Sequence, residues 1–190
     1  MTAARDAFVA AMRQVATTVT VVTTDGPGGL MGATVSAFTS LSADPPAVLV
    51  CLKADSRIAL AVADNGTFTV NVLPEDAVDV AQRFAGAFDH ENPDRFHGVI
   101  ATPNEFGPIL PRATAFTCTL QKTYRHATHQ ICIGRCRGFP MPGNGRLPTC
   151  TAPSTWCAPN RRSDPHMKKG RPSGRPSNQN PALLRERGWG

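Results

Sequence analysis

The sequence predicts a mainly β domain, an antiparallel barrel with short peripheral helices, followed by a basic tail. Three observations carry this reading. Two segments alternate cleanly. In residues 67–73, Phe68, Val70 and Val72 oppose Thr67, Thr69 and Asn71; in 116–124, Phe116, Cys118, Leu120 and Lys122 oppose Thr117, Thr119, Gln121 and Thr123. The intervening turns and short helical stretches show no regular strand–helix–strand rhythm, so a parallel sheet is not indicated. Charge and proline are also split unevenly. Residues 1–134 hold 9 Lys/Arg against 12 Asp/Glu, whereas residues 135–190 hold 11 against 2, with nine of the 17 prolines and both tryptophans.

Taken in order, Phe8, Val9, Met12 and Val15 share one face of a short helix. Residues 18–24 are β-branched almost throughout and read as a strand, which the Gly/Pro run at 25–29 turns back. That run lacks the GxGxxG spacing and the following helix of a dinucleotide loop, so it is read as a hairpin turn. Residues 30–38 return as a strand. Thr34, Ser36, Thr39, Ser40 and Ser42 then place five hydroxyls within nine residues, before the Pro45-Pro46 pair and an apolar strand at 47–52. Composition alone reads this run as a Ser/Thr-rich turn between strands. Asp55 or Ser56 can cap a helix over 57–63 that Asn65-Gly66 ends. Pro74 stops the 67–73 strand, and Glu75-Asp76 opens a helix carrying Val78, Val80, Ala81 and Phe84. Residues 86–112 form a long irregular segment with four prolines, and a loop of that length inside a domain is often functional. Ile131 and Ile133 belong to one further strand.

After Gly134 the patterning stops. Residues 135–190 have neither strand nor helix period, and their composition is that of a disordered segment, with a helical turn or two at PALLRER. Cys136, Cys150, Cys157 and His166 are separated by gaps of 13, 6 and 8 residues, not the two to four of paired zinc ligands, so no metal is expected. The basic tail lacks interleaved aromatics and any recognisable module, so no specific nucleic acid is expected either. Arg5, Asp6 and Arg13 interrupt the apolar stretch that a secretory signal needs, and no run of about eighteen apolar residues exists. The six cysteines follow no disulfide spacing. A cytoplasmic protein without a membrane partner is expected. No Ser-His-Asp, Cys-His or carboxylate-pair signature is present. Ser56, at a helix start just past a strand, is the one candidate anion site.

The segments AFVAAMRQVATTVTVVTT, GATVSAFTSLSADPPAVLVCLKADS, GTFTVNVL, AQRFAG, DRF, ILPRATAFTCTL and HQICIG, in this order and spacing, resemble the flavin reductase family. These are FMN-binding split β-barrels that serve two-component monooxygenases. The resemblance spreads over most of residues 7–134. It implies a homodimer that reduces FMN, or FAD, with NADH or NADPH and passes reduced flavin to a partner monooxygenase. Thr34, Val35, Ser36, Ser40 and Leu41 would lie against the flavin ring and ribityl chain. Cys51, Leu52 and Ser56 would border the ribityl-phosphate end, and Phe84, Ala85 and Gly86 would close over the flavin. His129 matches the histidine of the HxIxxG motif near the nicotinamide. Hydride passes from nicotinamide C4 to flavin N5, which needs no side-chain nucleophile and accounts for the absent catalytic constellation.

Two departures stand out. Ala127-Thr128 replaces the usual Gly-Asp before the motif histidine, and Cys136-Arg137-Gly138 with the Pro/Arg-rich tail replaces the family's ending. Such a break is what an out-of-frame end of a GC-rich gene gives, leaving the domain incomplete at its C-terminal side. A catalytically impaired flavin binder or structural protein, with the tail as an interaction segment, is the alternative expectation.

Overall fold

A computed structural model describes residues 3–142. Its strands are β1 (Thr20–Thr24), β2 (Met31–Val35), β3 (Phe38–Ala43), β4 (Pro46–Lys53), β5 (Thr67–Val72), β6 (Thr114–His126) and β7 (His129–Gly138). Three helices accompany them: α1 (Ala3–Met12), α2 (Arg57–Asn65) and α3 (Val78–Ala85). All strands pair antiparallel in one sheet, ordered β2-β1-β5-β6-β7-β4-β3. The two outermost strands, β2 and β3, are consecutive in the chain, and only Ser36 and Ala37 lie between them. The sheet therefore has to curl until its edges approach. Val35 of β2 accordingly shares one core with Val48 and Val50 of β4, Phe68 and Val70 of β5, and Cys118 and Cys132 of β6 and β7. No ladder joins β2 to β3, so the barrel stays split there.

The predicted single strand over 30–38 is thus two strands, and much of the expected hydroxyl loop is the edge strand β3. Small hydroxyl residues fit either a turn or an exposed strand, and pairing with β4 selects the strand. Along β4, Val48, Val50 and Leu52 point into the core while Leu49 and Cys51 face outward.

Ser56 is the N-cap of α2: its hydroxyl accepts from Ala59 N at 3.4 Å and donates to Lys53 O at 2.6 Å. Gly66, in the left-handed region, ends the helix with its N–H on Val62 O. Ile58, Ala59 and Val62 insert α2 into the barrel core. In contrast, α3 begins at Val78 rather than at Glu75, because a turn closed by Ala77 N on Pro74 O intervenes. Helix α1 ends at Met12, short of Val15, and buries none of its residues.

β5 alternates as predicted, but its polar face is also buried. Thr69 donates to Gly107 O at 2.9 Å. Asn71 Nδ2 donates to Val21 O, Thr23 Oγ1 and Pro108 O at 3.1–3.3 Å, and Asn71 Oδ1 accepts from Leu110 N at 2.9 Å. Thr23 Oγ1 adds a bond to Pro108 O at 2.6 Å. The long 86–112 segment folds back over the sheet through these groups. A second core of Val21, Leu73, Phe84, Leu110 and Ala113 forms beneath it and α3.

β7 runs four residues past Gly134, to Gly138. Gly134 and Cys136 face inward while Arg135 and Arg137 face solvent, so a period of two persists. Its inward members are too small to register as an apolar stripe. Glycine is required at 134, because an added Cβ would lie 2.4 Å from Phe68 Cζ. Cys118 and Cys136 are register partners with Sγ atoms 3.7 Å apart, and burial pushes both thiols and that of Cys132 up. Cys150, Cys157, His166, PALLRER and the expected disorder beyond 142 lie outside the described residues. Among the described residues no helix is long and apolar enough to cross a membrane.

Asn71 is fully buried with both ends of its amide engaged. Replacing it with alanine strands several polar groups, so Asn71→Ala is expected to lower the unfolding free energy by about 2–4 kcal/mol. Urea denaturation should show a lower midpoint with the slope little changed.

Candidate functional site

A cleft of about 390 Å³ opens where three segments meet: Leu30–Ala33 entering β2, Ser56–Ile58 at the start of α2, and 93–96 of the long loop. Its volume lies within the roughly 300–1,000 Å³ of small-molecule sites. One end is built for an anion. Ser56 N is engaged with Lys53 O, and the N–H groups of Ala59 and Leu60 both reach Ser56 O. The N–H groups of Arg57 and Ile58 remain without a main-chain acceptor at the positive end of the helix. The exposed Arg57 side chain makes no hydrogen bond or ion pair among the described residues, and it joins this end of the cleft.

The second arginine of the cleft behaves differently. Arg95 meets Asp89 through two bonds, Nε to Oδ1 at 2.9 Å and Nη2 to Oδ2 at 2.7 Å. Its Nη1 donates to Phe84 O at 2.8 Å and to Gly32 O at 3.4 Å. The arginine holds the Asp89 carboxyl below the usual carboxylate range, chiefly through that hydrogen bonding. Phe96 forms the neighbouring wall, with its ring edge-on to the buried Phe84 ring at 5.0 Å between centroids. Among the described residues no cluster of three or more His, Cys, Asp or Glu is placed to hold a metal ion.

The chain is similar to known proteins in sequence and in fold. The family model described as "Flavin reductase like domain" matches residues 12–154. The chain belongs to the flavin reductase family. It is 38% identical over 144 residues to the FMN reductase (NADH) RutF of Ancylobacter novellus, covering 75% of this chain and 78% of that one. It is 42% identical over 143 residues to the flavin reductase (NADH) of Kitasatospora aureofaciens, covering 72% and 73%. Among solved structures, a nitrilotriacetate monooxygenase component B from Mycobacterium thermoresistibile superposes with a TM-score of 0.69 at 31% identity, covering 76% of this chain and 79% of that one.

The residues that the flavin reductase resemblance singled out sit in three settings. Ser56 lines the cleft. Phe84 and Gly86 stand just behind its wall, Phe84 against Phe96 and Gly86 against the Arg95–Asp89 pair; Ala85, between them, is exposed. The remainder are not among the lining residues. Thr34 Oγ1 donates to Ala81 O at 2.6 Å, tying β2 to α3. Val35 and Leu52 are buried in the barrel core. Ser36, Ser40 and Leu41 are exposed at and beyond the β2–β3 junction, where neither serine hydroxyl makes a hydrogen bond among the described residues. Cys51 is half-buried on the outer face of β4, its thiol pushed up by burial. His129 is exposed, with Nδ1 2.9 Å from Thr128 Oγ1. It pairs with Lys53, and Ala54 N donates to Thr128 O at 3.0 Å, so the hairpin tip abuts the turn that leads to Ser56.

Sequence reasoning missed Arg57, Arg95 and the entry to β2. The signal for Arg57 was its place directly after the cap serine. Arg95 lay inside the DRF segment, where spacing gives no hint of its four bonds.

The Asp89 shift fixes a pH dependence. A carboxylate whose folded pKa is depressed contributes stability above its unfolded value of about 3.9, and that contribution is lost as pH falls through the folded value. The stability gap between wild type and Asp89→Asn is expected to be constant at neutral pH and to close below about pH 4. Urea titrations of both proteins across that range measure it.

Proposed function

We propose that this chain is an NADH- or NADPH-dependent flavin reductase. It takes FMN in preference to FAD and supplies reduced flavin to a partner monooxygenase. The observation that carries the reading is the cleft itself. It joins an anion-seeking helix start, with an arginine that makes no ion pair among the described residues, to the extended backbone at the entry of β2. A flavin mononucleotide has that same division into a dianionic end and a flat polar ring.

The residues present fit the group. The Arg57 and Ile58 N–H groups, the Ser56 hydroxyl and the Arg57 side chain would hold the phosphate. Thr34, Val35, Ser36, Ser40 and Leu41 continue from the β2 wall and would border the ring and ribityl chain. Val35 would act through its main chain, since its side chain lies in the core. Cys51 and Leu52 back the ribityl end from β4, with Leu52 again contributing only backbone. Phe84, Ala85 and Gly86 support the loop wall, and His129, beside the turn into α2, is the candidate to face the nicotinamide. Flavin bound there supplies N5 as the acceptor of a hydride from nicotinamide C4. The protein positions the two rings, excludes water and offers donors toward the charge that develops, and none of these tasks needs a nucleophilic side chain.

A homodimer belongs to the same reading. Supporting it is apolar surface near the N-terminus, where Phe8, Met12 and Val15 are 65%, 46% and 53% exposed. The monooxygenase partner is drawn from relatives such as the monooxygenase component B named above. A cytoplasmic setting, where both nicotinamides are available, completes it. We also divide the chain functionally into a reductase domain, drawn over 1–134 from the sequence and carried on to Gly138 by β7, and a basic segment beyond it.

The reading is tested by following NADH loss at its near-ultraviolet absorbance. Oxidation is expected to depend on added FMN, and well-folded protein that shows no flavin-dependent oxidation would refute the assignment. Arg57→Ala should raise the KM for FMN about tenfold or more, the worth of a charge-assisted hydrogen bond. It should leave the KM for riboflavin, which has no phosphate, nearly unchanged.

A further inference from the structure

The cleft contains two arginines, and the structure gives them different tasks. A guanidinium has five N–H donors. Four of those of Arg95 are committed inside the protein: two to the Asp89 carboxylate, one to Phe84 O and one to Gly32 O. These acceptors belong to three separate pieces of chain. Gly32 lies in β2 on one side of the cleft, Phe84 is in the last turn of α3, and Asp89 is in the long loop that supplies the other side. The arginine is thus a four-point tie between the two walls, and its own residue and the next, Phe96, form part of the lining.

Gly86 corroborates the tie. It ends α3 in the left-handed region at φ +92°, and a Cβ there would lie 2.6 Å from Arg95 Nη2 and 2.8 Å from Asp89 Oδ2. The chain accepts glycine at this point, which lets the ion pair sit directly on the backbone. The side chains of the pair are 23% and 35% exposed, so solvent weakens their attraction and fork geometry matters more than charge.

We propose that Arg95, locked by Asp89, is a positioning residue that sets the separation of the cleft walls, and that it does not ligate the substrate phosphate. The proposal rests on the reading of this cleft as the flavin site. Loss of the tie releases the 89–96 loop from β2, and a ring held between looser walls binds less well whatever its tail carries. Arg57, which makes no hydrogen bond or ion pair among the described residues and meets Asp89 only through a longer-range attraction, is left as the phosphate contact.

The two roles separate by ligand. Wild type, Arg95→Met, Arg95→Lys and Asp89→Asn are compared for KM and kcat with FMN and with riboflavin, and circular dichroism checks that each is folded. Arg95→Met and Asp89→Asn are expected to raise KM for both flavins by the same factor, about tenfold or more, with kcat changed much less. Arg95→Lys, which keeps the charge without the fork, should recover only part of the loss. A defect confined to FMN would make Arg95 a phosphate ligand and overturn the proposal, as would unchanged KM values in folded, active variants. Should Arg95→Met fail to fold, the nearly isosteric Asp89→Asn decides the same question. Wild type that turns over neither flavin would refute the flavin-site reading and the proposal with it. Unchanged variants beside an active wild type would refute the tie alone.

Discussion

Two residues close this molecule. The edge strands β2 and β3 stand at opposite ends of the sheet order, yet only Ser36 and Ala37 separate them in the chain. A fully extended residue spans at most about 3.6 Å, so a flat seven-stranded sheet is impossible. The sheet must curl, and curling creates an interior that Val35, Val50, Phe68, Val70 and the cysteines of β6 and β7 fill. The same closure brings the entry of β2 beside the start of α2, which follows β4 directly. The cleft is thus a by-product of topology. No loop had to be shaped for it except the one that finishes its outer wall.

That outer wall has a different physical basis. The outward faces of β1 and β5 carry Thr23, Thr69 and Asn71, which hydrogen-bond to main-chain groups at Gly107, Pro108 and Leu110. Pro108 and Pro111 lack N–H donors, but the carbonyls of the segment remain good acceptors. Polar side chains standing on the sheet can therefore hold it. At the other end the direction reverses, and the loop's own Arg95 donates to Gly32 O of β2 and Phe84 O of α3. Carbonyls met by side-chain donors anchor the segment at both ends, with apolar packing of Phe84, Phe96 and Leu110 between.

The sequence made the strands legible wherever large apolar residues alternate, as at Phe68-Val70-Val72 and Phe116-Cys118-Leu120. It also revealed α2, where a cap serine and a terminating Asn-Gly bracket the helix. It was silent where the periodic residues are small or hydroxylated. Ser40 and Ser42 look like turn residues until β4 pairs with them, and Gly134-Arg135-Cys136-Arg137 looks unpatterned until Phe68 is seen above the glycine. Burial of Thr69 and Asn71 could not be read either, because their partners lie about 40 residues away. In the site, Ser56 was visible from cap chemistry, and the residues of the long loop were not. Nothing local distinguishes an arginine that meets ligand from one already bonded to two backbone carbonyls and a carboxylate.

The three inward-facing cysteines have a chemical consequence. Free reduced flavin reacts with oxygen, and peroxide is what a reductase making it must live beside. A thiol is oxidised through its thiolate, at a rate set by how much thiolate exists and how readily an oxidant reaches it. Cys118 and Cys132 have no solvent exposure, Cys136 has little, and burial holds all three protonated. These sulfurs fill space beside Phe68 and Gly134 as small polarizable hydrophobes. The barrel can thus be lined with cysteine and still tolerate the oxidant that its own product generates.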